Sequence, residues 1–96
     1  MAGFYQVYLK PNKLNRVLYR PLVEKALGKA FDWFRVTPNM WYICTSQDAN
    51  EWFSRLQKYA KPEGYLLVIK LDIDDRQGWM SRSFWDWLKK NRARLG

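Results

Sequence analysis

Apolar side chains first alternate along this chain and then recur every three or four residues, and each change of period marks a change of element. Over residues 4–10, Tyr5, Val7 and Leu9 share one side and Phe4, Gln6, Tyr8 and Lys10 the other, the pattern of a half-buried strand that Pro11 and Asn12 end. Leu18, Leu22, Val23, Ala26 and Leu27 then fall at helical spacing. Proline suits only a first turn and glycine commonly follows a last one, so Pro21 and Gly28 predict a helix from near Arg20 to Gly28. Residues 31–36 and Met40–Thr45 are rich in aromatic and β-branched side chains and flank Thr37, Pro38 and Asn39, which predicts a hairpin.

Asp48, followed three residues later by Glu51, has the spacing of a capping box, and Ala49, Trp52, Phe53, Leu56 and Tyr59 form the apolar stripe of the helix it opens. Pro62, Glu63 and Gly64 break that helix. The apolar run Tyr65–Leu71 predicts a fourth strand, covered and central in its sheet. Ser83 and Asp86 are spaced as a second capping pair, and Phe84, Trp87 and Leu88 predict a short C-terminal helix whose negative dipole end suits Lys89 and Lys90. The order is α+β, a ferredoxin-like split β-α-β-β-α-β with an additional C-terminal helix, in one domain over residues 1–96. Two helices cover one face. Alternation places Gln6, Tyr8, Lys10, Trp33, Arg35 and Lys70 on the other, a surface suited to stacking on nucleic acid or to burial against a second copy.

With 96 residues the chain must build a dense core, and 48% hydrophobic and 18% aromatic content supplies one. The absence of histidine removes imidazole-based ribonuclease chemistry and Ser-His or Cys-His nucleophilic catalysis. With one cysteine, Cys44, there is no intrachain disulfide and no Cys/His zinc site, which fits a reducing compartment. Residues 1–9 lack a basic lead into an apolar core, and no apolar stretch is long enough to cross a bilayer, so a cytoplasmic protein without a membrane partner is expected. The net charge of +8 is uneven. Lys10, Lys13, Arg16, Arg20, Lys25 and Lys29 face only Glu24 in the first third, and Lys89, Lys90, Arg92 and Arg94 crowd the end. Such segments attract polyanions through counterion release, and they also keep an aromatic-rich protein soluble.

The segments Phe31-Asp32-Trp33-Phe34, Met40-Trp41-Tyr42-Ile43-Cys44-Thr45 leading into the capped helix, Gly64-Tyr65-Leu66-Leu67-Val68-Ile69, and Gly78-Trp79 followed by Phe84-Trp85-Asp86-Trp87-Leu88 form one pattern. It resembles the superfamily of the small CRISPR-associated adaptation endonuclease, with the likeness greatest to its short SinR-type members. The resemblance implies a ferredoxin-like fold and a homodimer through the sheets and the C-terminal segment. In nuclease members it also implies divalent-metal cleavage of RNA or DNA. Those nucleases hold the metal with an aspartate at the end of the first strand, where this chain has Tyr8-Leu9-Lys10. A lysine does not ligate Mg²⁺, so no catalytic residue and no cofactor is assigned.

The expected function is that of a non-enzymatic homodimer that binds nucleic acid through backbone contacts or serves as a scaffold. Lys10, Lys13, Arg16, Arg20, Arg35, Lys89, Lys90, Arg92 and Arg94 are the candidate phosphate contacts, on RNA or DNA. Tyr8, Trp79, Trp85 and Trp87 are the candidate dimer contacts, although for any tryptophan core packing is the commoner role. One alternative is a divalent-metal endonuclease using Mg²⁺ on Asp72, Asp74 or Asp75, residues that otherwise form a solvated acidic turn. Another is a protein-binding module, such as a toxin-antitoxin component or a regulator. Tyr65–Leu71 lacks the glycine-aromatic signature of a sheet-face RNA-binding domain.

Overall fold

A computed structural model describes residues 2–95; of the expected 1–96 domain, residues 1 and 96 lie outside the described residues. The elements are β1 (Gly3–Lys10), α1 (Tyr19–Leu27), β2 (Asp32–Thr37), β3 (Met40–Thr45), α2 (Ala49–Ala60), β4 (Tyr65–Leu71) and α3 (Arg82–Arg94). The strands form one sheet in the order β2-β3-β1-β4 with every neighbouring pair antiparallel, so the chain has the ferredoxin-like fold with a third, C-terminal helix.

The alternation in β1 decides what the two sheet faces bury. Tyr5, Val7 and Leu9 point with Trp41 and Ile43 of β3 toward α1 and α2, where Val23, Leu27, Trp52, Leu56 and Ala60 close the main core. The buried indoles there are satisfied: Trp41 Nε1 donates to Glu24 at 3.0 Å and Trp52 Nε1 to Thr45 Oγ1 at 3.1 Å. Asp48 opens α2 by accepting from the Glu51 N–H at 2.8 Å, while Glu51 accepts from the Asp48 N–H at 3.3 Å, the expected capping box. Gly64 lies so close to β1 that a Cβ there would collide with the Lys10 carbonyl oxygen.

α3 covers part of the opposite face. Phe84, Trp87 and Leu88 pack on Phe4 and Cys44 at the start of β1 and the end of β3, with Phe34 and Tyr42 against them. The Phe4 and Trp87 rings meet edge to face at 5.8 Å, and Tyr42 and Phe84 at 5.2 Å. Asp32 clamps the helix from β2, accepting from Asn91 Nδ2 at 3.0 Å and pairing with Lys90 at 3.3 Å.

Four readings of the sequence are corrected. β4 is an edge strand, not a central one. A continuous apolar run resembles a strand buried on both sides, but here Leu66 and Val68 alone join the main core while Tyr65, Leu67 and Ile69 stay exposed. Trp33, Arg35 and Lys70 belong to the helix-covered face, because Trp33 pairs with Ile43, Arg35 with Trp41 and Lys70 with Tyr5, and directly opposed residues share a face. α3 is capped by Ser81, whose side chain accepts from the Phe84 N–H at 3.2 Å, and it runs on to Arg94, so Arg92 and Arg94 rather than Lys89 and Lys90 occupy its last turn. In α1, Val23 and Leu27 carry the burial, whereas Leu18 and Leu22 are exposed.

Candidate dimer face and nucleic-acid interface

The helix α3 lies over the end of the sheet where β1 begins and leaves the end where β1 finishes uncovered. Strand register brings Gln6, Tyr8, Met40, Leu67, Ile69 and Tyr65 together there. Tyr65, Leu67 and Ile69 stand in one line on β4 at 63%, 57% and 46% exposure. Gln6 Nε2 donates to Met40 Sδ at 2.9 Å, and Lys10 Nζ sits 5.6 Å from the centre of the Tyr65 ring. The result is a bare apolar half-face on a free sheet edge, with a cation at its border. Solvent-exposed edges of this kind template pairing with another chain.

The tryptophans divide sharply. Trp41 and Trp52 are fully buried, and Trp33 packs against the main core. Trp87, expected at a dimer interface, is instead buried within its own chain under α3, and Trp85 is half-buried against Phe84 at 5.3 Å with Arg76 over its ring at 5.9 Å. Aromatic density in sequence did not separate a helix's inward face from an interface. Trp79 alone is free, at 98% exposure.

The acidic turn is held by its own neighbours. Asp72 Oδ1 accepts from the Asp74 N–H at 3.1 Å, and Arg76 Nη1 donates to the Ile73 carbonyl at 2.7 Å. Asp74 takes Arg92 on both oxygens, at 2.8 Å and 3.2 Å. Those hydrogen bonds, followed by the Arg92 charge, hold its carboxyl below the usual range. Among the described residues no three His, Cys, Asp or Glu side chains are grouped as a metal would require. Cys44 lies fully buried beneath α3, and burial pushes its thiol up, away from reactive thiolate.

Of the candidate phosphate contacts, Arg35 is bound to Glu24 at 2.7 Å on the helix face, Lys90 to Asp32 and Arg92 to Asp74, while Arg94 donates to the Phe31 carbonyl at 3.1 Å. Lys10, Lys13, Arg16, Arg20 and Lys89 are exposed and in no ion pair among the described residues. Lys13 and Arg16 lie at one end of the sheet and Arg94 at the other, ends that β1 separates by roughly 23 Å. The first segment is fixed by Asn12, which is buried and donates to the carbonyls of Lys58 and Lys61 at the end of α2. This loop also projects Leu14 and Val17, at 91% and 88% exposure, two residues the sequence pattern did not single out. Among the described residues, no helix is long and apolar enough to cross a membrane.

No family model, curated protein or solved structure matches the chain.

Proposed function

We propose that this chain is a cytoplasmic, non-enzymatic homodimer of the adaptation-nuclease superfamily that binds nucleic acid through its backbone or scaffolds an assembly on it. The observation that carries the reading is the bare half-face of the sheet, apolar along β4 and bordered by Lys10. Each half-exposed large side chain on it offers about 100 Å² for burial. Tyr65, Leu67 and Ile69 are the three side chains at that exposure, Gln6, Tyr8 and Met40 being partly buried, so two copies bury about 600 Å² through them and add contacts around this line to reach the roughly 1,000 Å² of a specific interface. A two-fold axis through the face would set the two Lys10 residues at the rim of the seam, where related nucleases carry their metal-binding aspartates.

The remaining surface supplies the affinity for polyanions. Among the described residues, Arg35, Arg82, Lys90 and Arg92 of the 17 Lys and Arg side chains are in ion pairs. Unpaired cations bind phosphates by counterion release without reading bases. Sedimentation equilibrium and fluorescence anisotropy on labelled duplex DNA and single-stranded RNA test the two halves of the reading. A dimer whose affinity falls steeply with salt is expected. A monomer at all concentrations defeats the assembly, and a flat dependence on salt defeats the nucleic-acid reading in favour of a protein partner.

A further inference from the structure

We infer that the groove between α1 and α2, on the layer opposite the bare sheet face, is a site for a nucleic-acid phosphate backbone. This rests on the reading that the chain binds nucleic acid and locates where it does so. Lys25 of α1 and Lys29 of the following turn stand along one wall, and Arg55 and Lys58 of α2 along the other, over Ala26 and Tyr59. None of the four cations is in an ion pair among the described residues.

The groove has one sign of charge because the carboxylates of its helices are used elsewhere. α1 and α2 carry only Glu24 and Glu51. Glu24 is held by Arg35 and by the Trp41 indole N–H, and Glu51 closes the capping box with Asp48. Within each helix layer the cations fall three or four residues apart, neighbours at about 5–6 Å, a spacing at which like charges repel unless an anion lies between them. Arg55 is already positioned: its Nη1 donates to Gln47 Oε1 at 2.7 Å and its guanidinium lies 4.6 Å from the centre of the Trp52 ring. That is its only hydrogen bond to the described residues, so its other N–H groups remain for a ligand. A guanidinium fixed on one side and open on the other is suited to phosphate oxygens. Ala26 and Tyr59, packed on the main core, give the groove a partly apolar floor that strengthens the field above it. The basic loop leads to one end of this groove, at the first turn of α1 with the exposed Arg20.

The test is the salt dependence of binding to labelled duplex DNA and, separately, to single-stranded RNA. Each phosphate contact adds about 0.9 to the slope of log affinity against log salt on a duplex and about 0.7 on a single strand. Lys25→Gln combined with Lys58→Gln changes two exposed side chains. It is expected to lower the duplex slope by about 1.8 and the affinity at 0.1 M salt by about 60-fold, uniformly across sequences. Lys70→Gln combined with Arg82→Gln removes the same charge at two exposed side chains outside the groove and outside the candidate phosphate contacts, and is expected to change the slope much less. Equal effects of the two pairs, or an effect of the second pair alone, would overturn the groove while leaving nucleic-acid binding intact. Binding only to phosphatidylserine vesicles, with no affinity for either nucleic acid, would overturn the underlying reading itself.

Discussion

The docking of α3 on the sheet can be measured through Cys44, which lies fully buried under that helix and is the only cysteine. Asn91 is the perturbation to make. Its Nδ2 donates to Asp32 at 3.0 Å and to the Trp87 carbonyl at 2.9 Å, while its Oδ1 is buried without a partner. In Asn91→Ala the bond to charged Asp32 is worth about 2 kcal/mol, and the second bond and the cavity about 1 kcal/mol each. Removing the orphaned Oδ1 returns about 2 kcal/mol, which leaves a net loss of about 2 kcal/mol. Since a tenfold change in a population needs about 1.4 kcal/mol, the open state rises about 30-fold. Native-state labelling of Cys44 by an aromatic disulfide reagent, which reacts with the thiol only when α3 has lifted, should therefore quicken about 30-fold. Asn91→Leu, which loses the bonds and the orphan but fills the space, should show a smaller acceleration. A rate for Asn91→Ala within threefold of the parent would refute the clamp. An acceleration matched by an equal loss of global stability would show that α3 does not open separately.

Asp32 also gives a pH dependence: burial pushes its carboxyl up, but the donors from Asn91, the Trp33 N–H and Lys90 outweigh this and hold it below its ordinary value. Its stabilisation is thus complete above about pH 4 and lost as pH falls through the lower folded value, so Asp32→Asn should flatten the acid limb of the urea midpoint against pH, and an unaltered limb would count against the clamp. Gly64→Ala sets a Cβ against the Lys10 and Ala60 carbonyls and the Pro11 backbone, none of which can swing aside. A loss of about 3 kcal/mol, or about 12 °C or more in a thermal melt, is expected, and a fall under about 5 °C would show that the strand-to-loop contact gives way. Leu67→Lys, at a position 57% exposed, should leave the fold intact and turn the proposed dimer into a monomer by sedimentation; a persistent dimer would place the seam elsewhere.

Local signals in the chain carried most of the fold. The parity of β1, the Asp48 and Glu51 box and the breaks at Gly28 and Gly64 each depend on neighbours a few residues away, and each element lies where they indicate. What was not legible depends on partners distant in sequence. The face taken by Trp33 and Arg35 is set by their register with Ile43 and Trp41 across the hairpin, and Arg35 leaves the charge patch because Glu24, on another element, binds it. β4 read as central because apolar continuity records what a strand can bury, not which neighbours it has; the sheet order puts β1 on one side of it and, among the described residues, no strand on the other. Arg55 and Lys58 went unmarked for the same reason, since a helix with an apolar stripe gives no sign that its polar side meets Lys25 of an earlier helix and Lys29 of the turn after it.

The two proposed surfaces belong to opposite layers of the molecule, and this fixes how they combine. Two sheets meeting through their bare halves lie about 10 Å apart, and each carries outward its own layer of helices, about 10–12 Å thick. The two α1–α2 grooves of such a dimer then face away from one another, separated by about 30–35 Å. Because they face opposite ways, a single short, straight duplex does not reach both sites. Dimerisation and phosphate binding therefore do not compete for surface, and the dimer should take up two short duplexes at saturation, one per chain. Stoichiometric titration well above the dissociation constant, at low salt, measures this directly. One duplex per dimer would mean that nucleic acid crosses the seam beside the paired Lys10 residues, and Lys10→Gln would then lower the salt slope where Lys25→Gln does not. Two per dimer, with the salt slope lowered by Lys25→Gln and unchanged by Lys10→Gln, would assign the contact to the helix layer.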